Sequence, residues 1–307
     1  EAATEALSAI SASSSFFLPM GSLSGMAVAA LIVLPNLWSD RRDEAGQIIF
    51  GTLSEAEKAD IRLHDLAVIR DPYVCIGLIV LIMFIVIALM KMPKTQQTEA
   101  KTGHVSVRTT LSNLFHNTIY REGVIAQFFY VAAQIMVWTF IIHYADHLGI
   151  NKTTAQMYNI VAMSLFLSSR FIATFLMKYV NGRLLLAIFG IGAAVATTGC
   201  ILIEGMMGLY CLVGISFFMS LMFPTIYGIA LENVDPYDTT LGAAFLVMAI
   251  VGGACMPVLQ GAIIDMGGTE HVLFGLPSVN VSYVLPLICF LVITLYGLRC
   301  YKARDRK

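Results

Sequence analysis

The chain of 307 residues is 58% apolar and only 13% charged, with a mean hydropathy of +0.78. Ordinary soluble domains carry charge on about a quarter of their residues, so this chain cannot cover itself with polar surface in water and belongs in a lipid bilayer. Its 19 basic and 20 acidic residues leave a net charge of -1, which gives no basic field for a phosphate backbone and argues against nucleic acid as a partner.

A bilayer core needs about 20 largely apolar residues per helix. Stretches of that kind run from Ile10 to Leu34, Pro72 to Met92, Gly123 to Leu148, Thr153 to Tyr179, Leu184 to Glu204, Leu209 to Leu231, Thr239 to Met266 and Val279 to Tyr301. They are too long and too uniformly apolar for the alternating strands of a barrel, so the expected class is all-α integral membrane. The chain opens on Glu1 without an initiator Met and is read as a fragment of a longer protein. Its six cysteines lie in or at the end of apolar stretches with no CxxC pair, and they read as small packing residues.

Two connections are long. Asn36 to Asp71 carries the capping-box pattern Ser54 to Glu57, followed by Ile61, Leu63 and Leu66, which predicts a short amphipathic surface helix acting as a solvated cover. Pro93 to Arg121 is polar and carries no span, so it reads as a linker between an N-terminal part (residues 1–92) and a C-terminal bundle (122–307). Bases sit on the linker side at Lys91, Lys94, Lys101, Arg108 and Arg121, then at Lys178 and Arg183, and in the tail from Arg299 to Lys307. The opposite side holds Arg41, Arg42, Lys58, Arg62, Arg70 and Lys152, so the linker and the C-terminus are expected in the cytoplasm.

Polar groups inside membrane helices are costly unless they face a partner or water. In the third stretch Gln127, Tyr130, Gln134 and Trp138 stand at offsets 0, +3, +7 and +11, one narrow helical face. Amides offer donors and an acceptor, and aromatic rings offer flat apolar surface, a combination that suits a sugar. The alternative makes the rings interface-belt residues and the glutamines interhelical ties. The sixth stretch repeats the pattern with Ser216, Ser220, Phe223 and Tyr227, and Pro224 interrupts the backbone beside it.

Other features read as packing. Gly21 and Gly25, Gly192 and Ala196, and Gly253, Pro257 and Gly261 are small-residue seams along which helices could also slide. His143, Asp146 and His147 have a spacing that a metal could use, but the helix is ending at Gly149, so they read as a polar mouth and no metal site is expected. Arg170, the only base deep inside a stretch, is expected to lock the structure through a carboxylate, a carbonyl or the membrane interface.

The segments Gln127 to Trp138 (QFFYVAAQIMVW), Ser169-Arg-Phe171, Met222 to Tyr227 (MFPTIY) and Gly242 to Gly261 (GAAFLVMAIVGGACMPVLQG) resemble the L-fucose:proton symporter permeases of the major facilitator superfamily. Asp71-Pro-Tyr73 and Phe17 to Gly21 (FLPMG) are similar as well. The resemblance implies two six-helix bundles with a sugar bound between them near the midplane, and makes the chain about helices five to twelve of twelve. It also implies import of a hexose or deoxyhexose, L-fucose first, by proton symport, with no other cofactor, in a plasma-membrane protein that is monomeric at full length. The family's coupling carboxylates lie on helices one and four, ahead of this chain. Its Arg, Asn and Gln early in helix five are replaced here by Ile10 to Ser15 (ISASSS).

On that reading Gln127, Tyr130, Gln134, Trp138, Ser220, Phe223 and Tyr227 face the substrate, while Arg170, Pro224, Gly252, Gly253 and Pro257 shape or gate the bundle. An uncoupled facilitator, or a carrier of another small polar solute, would use the same cavity. An intramembrane enzyme is disfavoured, because no Ser and His share a face deep in one stretch and no HExxH occurs.

Overall fold

The computed structural model describes residues 21, 24–39, 49–89, 107–232, 234–235, 237–267, 272–273 and 275–304. Its contacts divide into two compact units, one over Gly25–Val105 and the other over Glu1–Ser24 with Ser106–Lys307. Among the described residues seven helices are long and apolar enough to cross a membrane. Seven of the stretches read from the sequence are therefore helical, and the first, Ile10 to Leu34, falls largely outside the described residues.

In the smaller unit a short apolar helix, α1 (Ser24–Asn36), ends in a tight turn at Leu34, Pro35 and Asn36. It is followed by α2 (Glu55–Leu89), whose first turn is closed by the predicted capping box, with the Ser54 amide and hydroxyl both donating to Glu57 at 3.0 and 2.6 Å. The separate surface helix expected before Pro72 does not exist as such. One unbroken helix of 35 residues runs through Pro72. A proline in a helix leaves only the carbonyl four residues earlier, Val68, without its donor, and at the edge of the apolar run water can serve that carbonyl. At 1.5 Å per residue α2 is about 52 Å long, well beyond a hydrocarbon core of about 30 Å. The stretch ahead of Pro72 thus projects from the membrane, and there the Asp65 carboxylate accepts the Trp38 and Ser39 amides at 2.8 and 3.0 Å.

The larger unit starts with α3 (Val107–His116), a short amphipathic helix inside the polar connection, and α4 (Thr118–His147) begins five residues before the predicted Gly123. Asn117 explains that start, since its side chain accepts the Tyr120 amide. Then come α5 (Lys152–Leu176) and α6 (Gly182–Leu202), each with an asparagine N-cap, Asn151 and Asn181. The sixth stretch is two helices, α7 (Met206–Met219) and α8 (Met222–Leu231), broken at Ser220 and Leu221. Pro224 causes the break, because it cannot donate to the Ser220 carbonyl. The seventh is likewise divided into α9 (Thr239–Met248) and α10 (Gly252–Asp265) by a tight turn over Ala249–Val251. A two-stranded hairpin pairs β1 (Val272–Leu273) with β2 (Leu276–Pro277), and α11 (Ser278–Ser282) and α12 (Val284–Arg304) complete the unit.

Close approaches hold this bundle together. A Cβ added at Gly190 would strike Thr294 of α12, one at Gly192 would strike the Phe218 ring, and one at Gly252 would strike the Phe128 carbonyl of α4. At Gly253 it would lie 2.8 Å from Ile135. The predicted seams at Gly192 and at Gly253 are therefore close contacts, Gly252 adds one that no seam included, and Gly21 and Gly25 meet nothing within 4 Å among the described residues. The largest fully enclosed side chains include Tyr130, Tyr144, Tyr283 and Phe290.

Candidate functional site

The polar face of α4 divides along its length. Gln127 and Tyr130 are fully enclosed, while Gln134 and Trp138 stay half-buried. The Tyr130 hydroxyl donates to the Met219 carbonyl of α7 at 3.2 Å, and the Gln127 amide has no hydrogen-bond partner at either end among the described residues. Trp138 is seated from two neighbouring helices. Its indole N–H donates to Ser216 Oγ at 3.3 Å, its ring meets Phe166 of α5 edge to face at 5.2 Å, and its carbonyl accepts Asn159 Nδ2 at 3.3 Å.

The second face lies on α7 and α8. Ser216 and Ser220 are fully buried, and Phe223, Pro224 and Tyr227 are half-buried. Ser169 of α5 donates to the Phe217 carbonyl at 2.6 Å, so in its 2.8 Å contact with Ser220 the Ser220 hydroxyl is the donor. This exchange serves the carbonyls and hydroxyls freed where α7 stops. Phe223 stacks on Tyr227 at 6.4 Å and meets Tyr130 edge to face at 6.0 Å, which joins the faces read separately in the sequence.

Arg170 stands half-buried beside these groups, and its charge acts on the Tyr130 phenol. Its carbonyl accepts the Thr174 hydroxyl at 2.7 Å, while its guanidinium makes no hydrogen bond or ion pair among the described residues. Pro224 lines a cleft with Asn181, Arg183 and Glu232, whereas Gln134, Trp138, Arg170 and Tyr227, like Phe223, are the half-buried members of these faces. They can offer amide and guanidinium hydrogen bonds, a phenol and two aromatic faces to a neutral polyhydroxyl ligand.

Gly252 and Gly253 set α10 against α4, and Pro257 lies inside α10. The His143 ring lies 5.2 Å from Phe140, and among the described residues no group of three or more His, Cys, Asp or Glu could hold a metal ion. Residues that the sequence reading passed over are Asn159 and Phe166, although an offset of +7 places them on one face of α5, and Ser169 was read only as part of a motif without a role. Nothing local marks a second cluster. Arg183 at the start of α6 pairs with Glu232 at 2.6 Å and donates to the Cys300 carbonyl of α12 at 3.1 Å, joining positions 49 and 117 residues apart.

Sequence and structure comparisons carry the same assignment. The chain is 56% identical to the L-fucose-proton symporter of Haemophilus influenzae over 286 residues, 93% of this chain and 65% of that protein. A crystal structure of the Escherichia coli fucose:proton symporter superposes with a TM-score of 0.67 at 26% identity, covering 93% of this chain and 67% of that one. The chain has the major facilitator superfamily fold, since a crystal structure of such a transporter in the outward conformation superposes on it with a TM-score of 0.65 at 26% identity. Its similarity to the L-fucose-proton symporter of Escherichia coli is 28% over 287 residues, 92% of this chain and 61% of that protein. The chain therefore spans somewhat less than two thirds of the length of these curated relatives. No family model matches it. The all-α membrane class and the major facilitator fold expected from the spans and motifs are the ones found.

Proposed function

We propose that the chain forms part of a secondary transporter that imports a hexose or deoxyhexose, L-fucose in the first instance, together with a proton by alternating access. The observation that supports this reading is that the half-buried Gln134 and Trp138 share the α4 face of Tyr130, which meets Phe223 and, through it, the half-buried Tyr227. Amides and guanidinium bind hydroxyls, and aromatic faces bind the C–H side of a pyranose. The similarity to two L-fucose-proton symporters supports that choice of sugar and ion.

In the same reading residues 1–92 close the N-terminal bundle, 93–121 form a cytoplasmic linker, and 122–307 form the C-terminal bundle. The protein is monomeric in the plasma membrane with its C-terminus in the cytoplasm. No cofactor beyond the coupling proton takes part.

The test is sugar-driven proton movement in cells that express the full-length protein. Adding L-fucose to a lightly buffered suspension should raise the external pH, and an inward proton gradient should drive accumulation. Equilibration of fucose without either effect would identify an uncoupled facilitator instead.

A further inference from the structure

We propose that Ser216 and Phe166 are positioning residues that fix the plane of Trp138, so that the indole offers its ring face to a sugar and withholds its N–H. The inference rests on the reading of Trp138 as a wall of the sugar site. An indole has one polar hydrogen. Here it is engaged by Ser216 Oγ at 3.3 Å, and Ser216 is fully buried on α7. Phe166, 4% exposed on α5, abuts the same ring at 86° with centroids 5.2 Å apart. Turning the indole would strand the buried Ser216 hydroxyl and lose the edge-to-face contact, so the ring plane is set by two helices other than its own.

The consequence is chemical. A fixed ring face recognises an unbroken patch of sugar C–H groups, and hydroxyl recognition falls to groups such as Gln134, four residues earlier on the same face of α4. An epimer that turns a hydroxyl onto that patch buries it against the ring without a partner. Ser216 therefore acts on selectivity through Trp138 without touching the sugar.

The experiment uses the purified full-length protein, with L-fucose and its single-hydroxyl epimers as ligands. Affinity and melting temperature are measured for Ser216→Ala, Ser216→Thr, Phe166→Leu and Trp138→Ala, and the indole N–H resonance of Trp138 is followed by NMR. Ser216→Ala and Phe166→Leu should each weaken L-fucose binding about five-fold, the factor carried by one ordinary hydrogen bond or ring contact, and narrow the gap to the epimers. Ser216→Thr keeps the hydroxyl and should hold affinity within about two-fold of the parent, and of the two serine variants only Ser216→Ala should move the indole N–H resonance. In a Trp138→Ala background Ser216→Ala should add almost nothing. Equal weakening with and without Trp138, or unchanged affinity in Ser216→Ala and Phe166→Leu while Trp138→Ala binds weakly, would overturn the proposal. Unchanged affinity in Trp138→Ala itself would instead remove the sugar-site reading beneath it.

Discussion

Tyr130 and Phe223 meet edge to face at 6.0 Å, and this contact is where the polar face of α4 joins the aromatic end of α8. It also marks a division. Tyr130 is fully enclosed and bonded to the Met219 carbonyl, whereas Phe223 is half-buried, as are Gln134 and Trp138 further along α4. Members of one sequence stripe are therefore expected to separate into stabilising and ligand-facing roles.

That separation can be measured on full-length variants. Tyr130→Phe removes a buried donor and leaves the Met219 carbonyl to its remaining partners, at a cost of about 1 kcal/mol in stability, and should lower the melting temperature with little change in sugar affinity. Gln134→Ala and Trp138→Ala should do the opposite, weakening binding several-fold with the melting temperature nearly unchanged. Paired affinity and melting measurements on each protein decide it, and loss of affinity in Tyr130→Phe alone would reverse the assignment.

Much of this arrangement was legible in the sequence because a helix repeats every 3.6 residues, so Gln127, Gln134 and Trp138 could be placed on one face without coordinates. The break ahead of Pro224 was legible for the same local reason. What could not be read was how deeply each turn of the face is covered. Gln127 and Trp138 share a face and lie about 16 Å apart along the helix, and neighbouring helices enclose the first but only half-cover the second. The Arg183 contacts to Glu232 and the Cys300 carbonyl were invisible because tertiary packing alone brings three distant segments together. The continuity of α2 through Pro72 was not legible because the apolar span and the amphipathic segment ahead of it differ in composition, and nothing in that pattern says that one helix joins them.

The orientation argued from the basic residues predicts chemical access. In a background without native cysteines, a cysteine at the exposed Ser112 of α3 should react with an impermeant maleimide only from the cytoplasmic side, and one at the exposed Glu57 of α2 only from outside. Labelling of Ser112→Cys in intact cells would invert the topology and move the C-terminus to the outer face.

The Asp65 contacts give the projecting part of α2 a defined response to acid. Burial pushes the Asp65 carboxyl up, but the Ser39 hydroxyl, the Trp38 and Ser39 amides and the His64 ring together outweigh it and hold the group below its ordinary value of 3.8. A carboxyl whose folded pKa is depressed adds stability above its unfolded pKa and loses it as the pH falls through the folded value. Hydrogen-exchange protection of the Trp38 and Ser39 amides should therefore be constant from neutral pH down to about 4 and decline below that. Asp65→Asn should show weakened protection throughout, and an unchanged profile in that variant would show that the carboxylate does not hold the turn.

Gly252 supplies the sharpest test of the packing. A Cβ there would clash with the Phe128 carbonyl, a backbone group of α4 that cannot rotate away, so Gly252→Ala must push α10 from α4. Overpacking of this kind costs about 1–3 kcal/mol, more than the roughly 1 kcal/mol by which alanine is the better helix former. Gly228 in α8 is the control, since a Cβ there meets nothing within 4 Å and alanine gains the propensity term without a clash. Gly252→Ala should therefore melt several degrees lower than the parent and Gly228→Ala at the same temperature or higher. Because Gly252 also sits where the turn over Ala249–Val251 gives way to α10, the clash falls on the joint between the two halves of that span. Transport in Gly252→Ala should drop further than its loss of folded protein accounts for, which a transport rate normalised to folded carrier would reveal. If Gly252→Ala melts and transports like the parent, the close approach of α10 to α4 is wrong.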